Sequence, residues 1–82
     1  MVPDDAPTLH NLGTLAFEAG EYEKAVSLFA SSTEVRPYSR ATWLQLGHAM
    51  KRAGRSVVGD DVFHKSLKYF GGDPELLALM KT

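Results

Sequence analysis

Apolar residues recur at helical spacing near the N-terminus. Four of them lie three or four positions apart: Leu9, Leu12, Ala16 and Ala19. This spacing places them on one face of an α-helix. Pro7 suits the first turn of a helix, where its missing N–H costs nothing, and Gly20 suits the stop because glycine tolerates the left-handed conformation. The pattern predicts a first helix that ends at Gly20.

The same plan continues along the chain. A second amphipathic segment runs from Tyr22 to Val35, and Pro37 ends it because the residue before a proline is pushed out of the helical region. Two further segments and a short last one follow: 41–53, 56–70 and a helix that starts at Asp73-Pro74-Glu75. No stretch alternates with period two for long enough to form a strand. We therefore expect an all-α fold of about five helices.

The chain contains an internal repeat of 34 residues. Shifting the sequence by this distance aligns 6–39 with 40–73 and gives seven identities, where composition alone would give about two. The identical pairs are Thr8/Thr42, Leu12/Leu46, Gly13/Gly47, Ala19/Ala53, Gly20/Gly54, Phe29/Phe63 and Ser32/Ser66. A third copy begins at Pro74. The predicted organisation is a flexible tail at 1–5 and one domain at 6–82, whose last segment, 74–82, is a partial repeat or a capping helix.

Small residues recur where two antiparallel helices would cross. Gly13 and Ala25 hold these places in the first unit, and Gly47 and Gly59 hold them in the second. Glycine inside a helix costs about 1 kcal/mol relative to alanine. Its recurrence at the same offset therefore indicates close backbone approach at both crossings.

These residues resemble the tetratricopeptide repeat, whose pattern is Trp-x2-Leu-Gly-x2-Tyr, Ala-x3-Phe and Pro over 34 residues. Ala16 and Met50 depart from it, since they stand where the family has an aromatic residue, and Gly71 replaces the second closing proline. The residues that carry the resemblance are Leu9, Leu12, Gly13, Ala25, Phe29, Pro37, Trp43, Leu46, Gly47, Gly59 and Phe63.

The resemblance implies a right-handed stack of antiparallel helix hairpins, an α-solenoid whose first helices line a concave groove. It also implies a non-enzymatic module that holds a peptide or a partner helix in that groove. The positions that would line the groove are His10, Thr14, Phe17, Leu44, Gln45, His48, Lys51 and Arg52. Among them, Phe17 and Leu44 are candidate apolar anchors. Lys51 and Arg52 would favour an acidic partner segment, although they also suit the negative end of a helix dipole.

Some members of the family grip an acidic C-terminal tail through a clamp of Lys, Asn and Arg side chains. In this sequence the first Lys and Asn of that clamp fall on His10 and Thr14, and the last Lys and Arg fall on Glu75 and Leu79. Only Gln45 is a conservative replacement. The resemblance therefore does not extend to the binding of chaperone tails.

Composition and charge limit the kinds of partner and site that the chain can have. Nine Lys and Arg against ten Asp and Glu give a net charge of −1, which disfavours nucleic-acid and anionic-membrane partners. The absence of cysteine excludes disulfides and thiolate metal sites, and no two histidines have the i, i+4 spacing of metal ligands on one helix face. We expect no catalytic site, cofactor or metal. With no targeting or transmembrane signal, a cytoplasmic location is the default expectation.

Two alternatives to the groove hypothesis stay open. The C-terminal helix has four apolar residues within five, Leu76, Leu77, Leu79 and Met80, which is more than one buried stripe needs. Self-association through this helix, as a homo-oligomerisation scaffold, is the first alternative. The second is an RNA-binding helical repeat of similar length. The chain is expected to be either a fragment of a larger repeat protein or a small adaptor.

Overall fold

The computed structural model describes residues 5–57 and 61–80, except for the side chains of Phe63 and Met80. Five α-helices are present within this part of the chain, and no strand. They are α1 (Ala6–Glu18), α2 (Tyr22–Val35), α3 (Arg40–Arg52), α4 (Asp61–Phe70) and α5 (Pro74–Met80). The expected all-α fold is confirmed. None of the described helices is long and apolar enough to cross a bilayer.

The helix ends follow from local chemistry. Gly20 and Gly54 have φ angles of 80° and 77°, the left-handed conformation that their positions after α1 and α3 require. The amide of Glu21 then donates to the carbonyl of Ala16 at 2.8 Å, and its repeat mate Arg55 donates to Met50 at 2.9 Å. The two turns are thus built alike, 34 residues apart.

At the N-terminus, one residue of the predicted tail belongs to the first helix. Asp5 is the N-cap of α1, and its carboxylate accepts a 2.9 Å hydrogen bond from the amide of Thr8. Hydrogen bonding from Thr8 lowers the pKa of Asp5. The rest of the predicted tail, 1–4, lies outside the described residues.

The first hairpin packs as the small residues predict. A Cβ added to Gly13 would lie 2.8 Å from the ring of Phe29, which is fully buried. Farther along α2, the hydroxyl of Ser32 donates to the carbonyl of Ala6 at 2.9 Å. Close contact between α1 and α2 therefore depends on Gly13.

The second unit departs from the first. The sequence pattern predicts a helix over 56–70, but α4 begins at Asp61, and Ser56 and Val57 are not helical. Val57 is branched at Cβ, which lowers its helix propensity. Gly59 lies outside the described residues.

The last helix packs on α3. Leu79 of α5 is buried and reaches the place where a Cβ on Gly47 would be. Gly47 therefore admits a side chain of α5, whereas its repeat mate Gly13 admits the ring of α2. The core continues through Trp43, whose indole Nε1 donates to the carbonyl of Pro37 at 2.7 Å.

Candidate partner-binding surface

A short chain of hydrogen bonds joins α1 to α3. The Nδ1 atom of His10 lies 2.9 Å from the hydroxyl of Thr42, and that hydroxyl lies 2.9 Å from the hydroxyl of Ser39. The edge of the His10 ring also meets Phe29, with ring centroids 5.4 Å apart. His10 is therefore held in place from both α2 and α3.

An open cavity of about 260 Å³ lies beside these side chains. His10, Asn11, Arg36, Ser39 and Thr42 contribute polar groups to its lining. Amide, guanidinium and hydroxyl groups can donate hydrogen bonds to a carboxylate or to a peptide carbonyl. Because Arg36 supplies a positive charge to this lining, the cavity suits a neutral or an anionic group.

The side chains of the other two predicted groove residues of α1 make contacts within the protein. Thr14 donates its hydroxyl to the carbonyl of His10 at 3.1 Å. Phe17 is half-buried and meets Tyr22 edge to face, with centroids 5.3 Å apart. Phe17 thus packs at the turn between α1 and α2, and its role as an apolar anchor stays a prediction.

The predicted residues on α3 divide into two groups. Leu44 and Gln45 are half-buried, and Leu44 packs against the core. His48, Lys51 and Arg52 are exposed. Their spacing of three and four residues puts them on one face of the helix, where they form a basic strip at its C-terminal end.

The cavity and this basic strip are separate parts of one surface. Thr42 and His48 are six residues apart, which corresponds to roughly 9 Å along a helix axis. Of the eight predicted groove residues, His10 alone lines the cavity. We call the cavity and the strip together the α1–α3 surface.

Sequence reasoning missed the partners of His10. Thr42 appeared only as a repeat identity with Thr8, and Ser39 was not singled out. In the first unit the corresponding pair, Asp5 and Thr8, forms a helix cap. In the second unit the Ser39 side chain makes no capping bond to the backbone, and its hydroxyl instead meets Thr42. The sequence signal that could have indicated these contacts is the pair of short polar residues, Ser39 and Thr42, three positions apart.

Arg40, at the start of α3, is engaged with the last helix. Its guanidinium forms an ion pair with Asp73 and reaches Glu75 at 2.8 Å. Asp73 also caps α5 through the amides of Glu75 and Leu76 at 3.0 and 3.2 Å. The hydrogen bond from Arg40 lowers the pKa of Asp73, and hydrogen bonds to Asp73 and Glu75 raise the pKa of Arg40. This cluster fixes α5 to α3.

Comparison with known proteins gives one partial similarity. The chain is 32% identical over 56 residues to a "Peroxisomal targeting signal receptor" of Kluyveromyces lactis, which covers 68% of this chain and 10% of that receptor. The chain thus spans about a tenth of the length of the curated relative that it matches. No family model and no solved structure matches it. The similarity is coarse support for tetratricopeptide-like repeats in this chain.

Proposed function

We propose that this chain is a non-enzymatic protein-interaction module, built as a right-handed stack of tetratricopeptide-like hairpins, which binds a peptide or a partner helix on the α1–α3 surface. The observation that supports this most directly is the cavity between α1 and α3, where His10, Asn11 and Arg36 converge beside the His10–Thr42 contact. The similarity to a protein named as a receptor fits the same role.

Charge favours an acidic ligand. Lys51 and Arg52 are exposed on the strip, and Arg36 lines the cavity. Exposed charges of one sign contribute to partner choice and to association rate more than to affinity, and salt screens them over about 8–10 Å. An extended acidic segment could place a carboxylate in the cavity and further carboxylates along the strip.

A peptide library displayed on phage tests this proposal. Selection on the immobilised chain should enrich acidic sequences, and fluorescence anisotropy then measures the affinity of an enriched peptide. We expect the double substitution Lys51→Glu/Arg52→Glu to weaken binding by about tenfold or more, because it reverses the charges of two exposed residues of the strip.

A matched control makes the same change of charge elsewhere. Lys24 and Lys65 are exposed on α2 and α4, outside the α1–α3 surface. Lys24→Glu/Lys65→Glu should leave the affinity within about twofold, apart from a general salt-sensitive effect of net charge. If both double variants weaken binding equally, or if neither does, the ligand does not bind on the α1–α3 surface.

A further inference from the structure

Two leucines of α1 face solvent although their repeat mates are fully buried. Leu12 is 37% exposed and Leu15 is 62% exposed. The corresponding residues of α3 are Leu46 and Ala49, neither of which has any exposed surface. Within the molecule, α2 packs against α3 and helps to bury the face of α3 that carries Leu46 and Ala49. The outer face of α1 therefore has the chemistry of a contact surface between helices.

The exposed leucines of this face lie together beside one acidic and one basic residue. Leu12, Leu15, Ala16 and Leu28 line an open depression of about 310 Å³ together with Glu21 and Lys24. Exposed carboxylates of Glu18 and Glu23 lie on the same two helices. We call this apolar surface with its carboxylates the α1 end face.

Charge is divided unevenly along the sequence. Residues 1–35 contain six of the ten carboxylates and one of the nine Lys and Arg residues, which gives a formal charge of −5. Residues 36–82 contain the other four carboxylates and eight basic residues, a formal charge of +4. The near-neutral total hides two halves that attract each other when they belong to different molecules.

The basic half carries an aromatic cleft. Trp43 and Tyr69 form it with Pro37, and Lys65 and Lys68 also line this open volume of about 260 Å³. Glu34 supplies its one carboxylate. The exposed ring of Tyr38 meets Tyr69 edge to face, with centroids 5.3 Å apart. This apolar floor with an excess of positive charge complements the apolar α1 end face, whose two helices carry more carboxylates than ammonium groups.

We infer that the α1 end face binds a second copy of this chain, head to tail, with its leucines against the aromatic cleft beside α4. Each contact uses two different surfaces, so each pair leaves one end face and one cleft unoccupied. Assembly therefore continues beyond the dimer as concentration rises. The contact does not use the α1–α3 surface.

Sedimentation velocity of the full chain over a wide range of concentrations tests this. We expect the weight-average mass to rise with concentration, past that of a dimer, and to fall when salt is added. Leu15→Gln should weaken association at least tenfold. Val35→Gln is the matched control, because Val35 is 50% exposed on α2 and lies outside both surfaces. Circular dichroism verifies that both variants are folded.

Mixing two variants tests the orientation. Lys65→Glu/Lys68→Glu disables the cleft, and Leu15→Gln disables the end face, so each variant alone should be monomeric. Their mixture should form a dimer of one chain of each kind and nothing larger, since it has one working surface of each type. A wild-type chain that stays monomeric at all concentrations overturns the inference. So does undiminished association of the cleft variant alone, which would indicate contact between two end faces.

Discussion

Two glycines at the same repeat position meet different neighbours. Gly13 faces the ring of Phe29 across the first hairpin, whereas Gly47 faces Leu79 of the last helix. The 34-residue repeat was sufficient to predict that both positions need a small residue. It could not predict that Leu79 of α5 would reach Gly47, because that contact comes from outside the second unit.

The glycines should differ in their tolerance of alanine. Gly13→Ala puts a Cβ 2.8 Å from a fully buried ring, and we expect a loss of about 1–3 kcal/mol in the free energy of unfolding despite the better helix propensity of alanine. Gly47→Ala should cost less, because Leu79 can change rotamer. Gly72→Ala, with nothing within 4 Å, is the control. Urea unfolding followed by circular dichroism gives the three values, and an equal effect at Gly13 and Gly72 would contradict the close contact.

Trp43 combines burial with a hydrogen bond to the loop before α3. Trp43→Phe keeps an aromatic ring but leaves the carbonyl of Pro37 without the indole donor. We expect a loss of about 1–3 kcal/mol, from the hydrogen bond and from the smaller ring. Tyr38→Phe changes an exposed aromatic residue one position after Pro37 and should be close to neutral. Thermal unfolding followed by circular dichroism at one pH compares them, and equal midpoints would show that the bond contributes nothing.

At the scale of helices, the sequence predicts the first unit better than the second. The bounds of α1 and α2 follow from Pro7, Gly20 and Pro37, which act locally. The start of α4 follows a segment that contains the β-branched Val57, and Asp61 begins the helix five residues after the predicted start. Local sequence signals, such as a proline or a glycine, predict the ends of a helix only where these signals are strong.

The short α5 is held by its cap and by Arg40, which gives its stability a pH dependence. The pKa of Asp73 is lowered, so its stabilising effect is complete above the ordinary carboxyl value of about 3.9 and disappears as pH falls through the lower folded value. Asp73→Asn should therefore unfold at lower urea concentration than wild type near pH 7, and this difference should shrink at acidic pH. Glu23→Gln removes an exposed carboxylate from α2 and is the control. A constant difference across pH would mean that Asp73 acts only through packing.

For the whole molecule, sequence patterns placed the candidate residues on two neighbouring helices but did not specify their contacts. Helical periodicity placed His10 and the basic strip on neighbouring first helices. It did not show that Phe17 would turn to Tyr22, or that Thr42 and Ser39 would bond to each other beside His10. Such details depend on the rotation of each helix about its axis, which a one-dimensional pattern does not specify. The unequal distribution of charge between the two halves of the chain can be read from the sequence, but the net charge of −1 does not indicate it.

The two proposed surfaces should respond independently in thermal unfolding. An acidic ligand that binds the folded state raises the unfolding midpoint by mass action, and self-association makes the midpoint depend on protein concentration. We expect the wild-type midpoint to rise over about a hundredfold range of concentration and the midpoint of Leu15→Gln to stay constant, while the ligand stabilises both proteins equally. Lys51→Glu/Arg52→Glu should show the reverse, with concentration dependence retained and ligand stabilisation lost. A ligand effect that disappears in Leu15→Gln would mean that partner binding requires the assembled form, because the α1 end face takes no part in the α1–α3 surface.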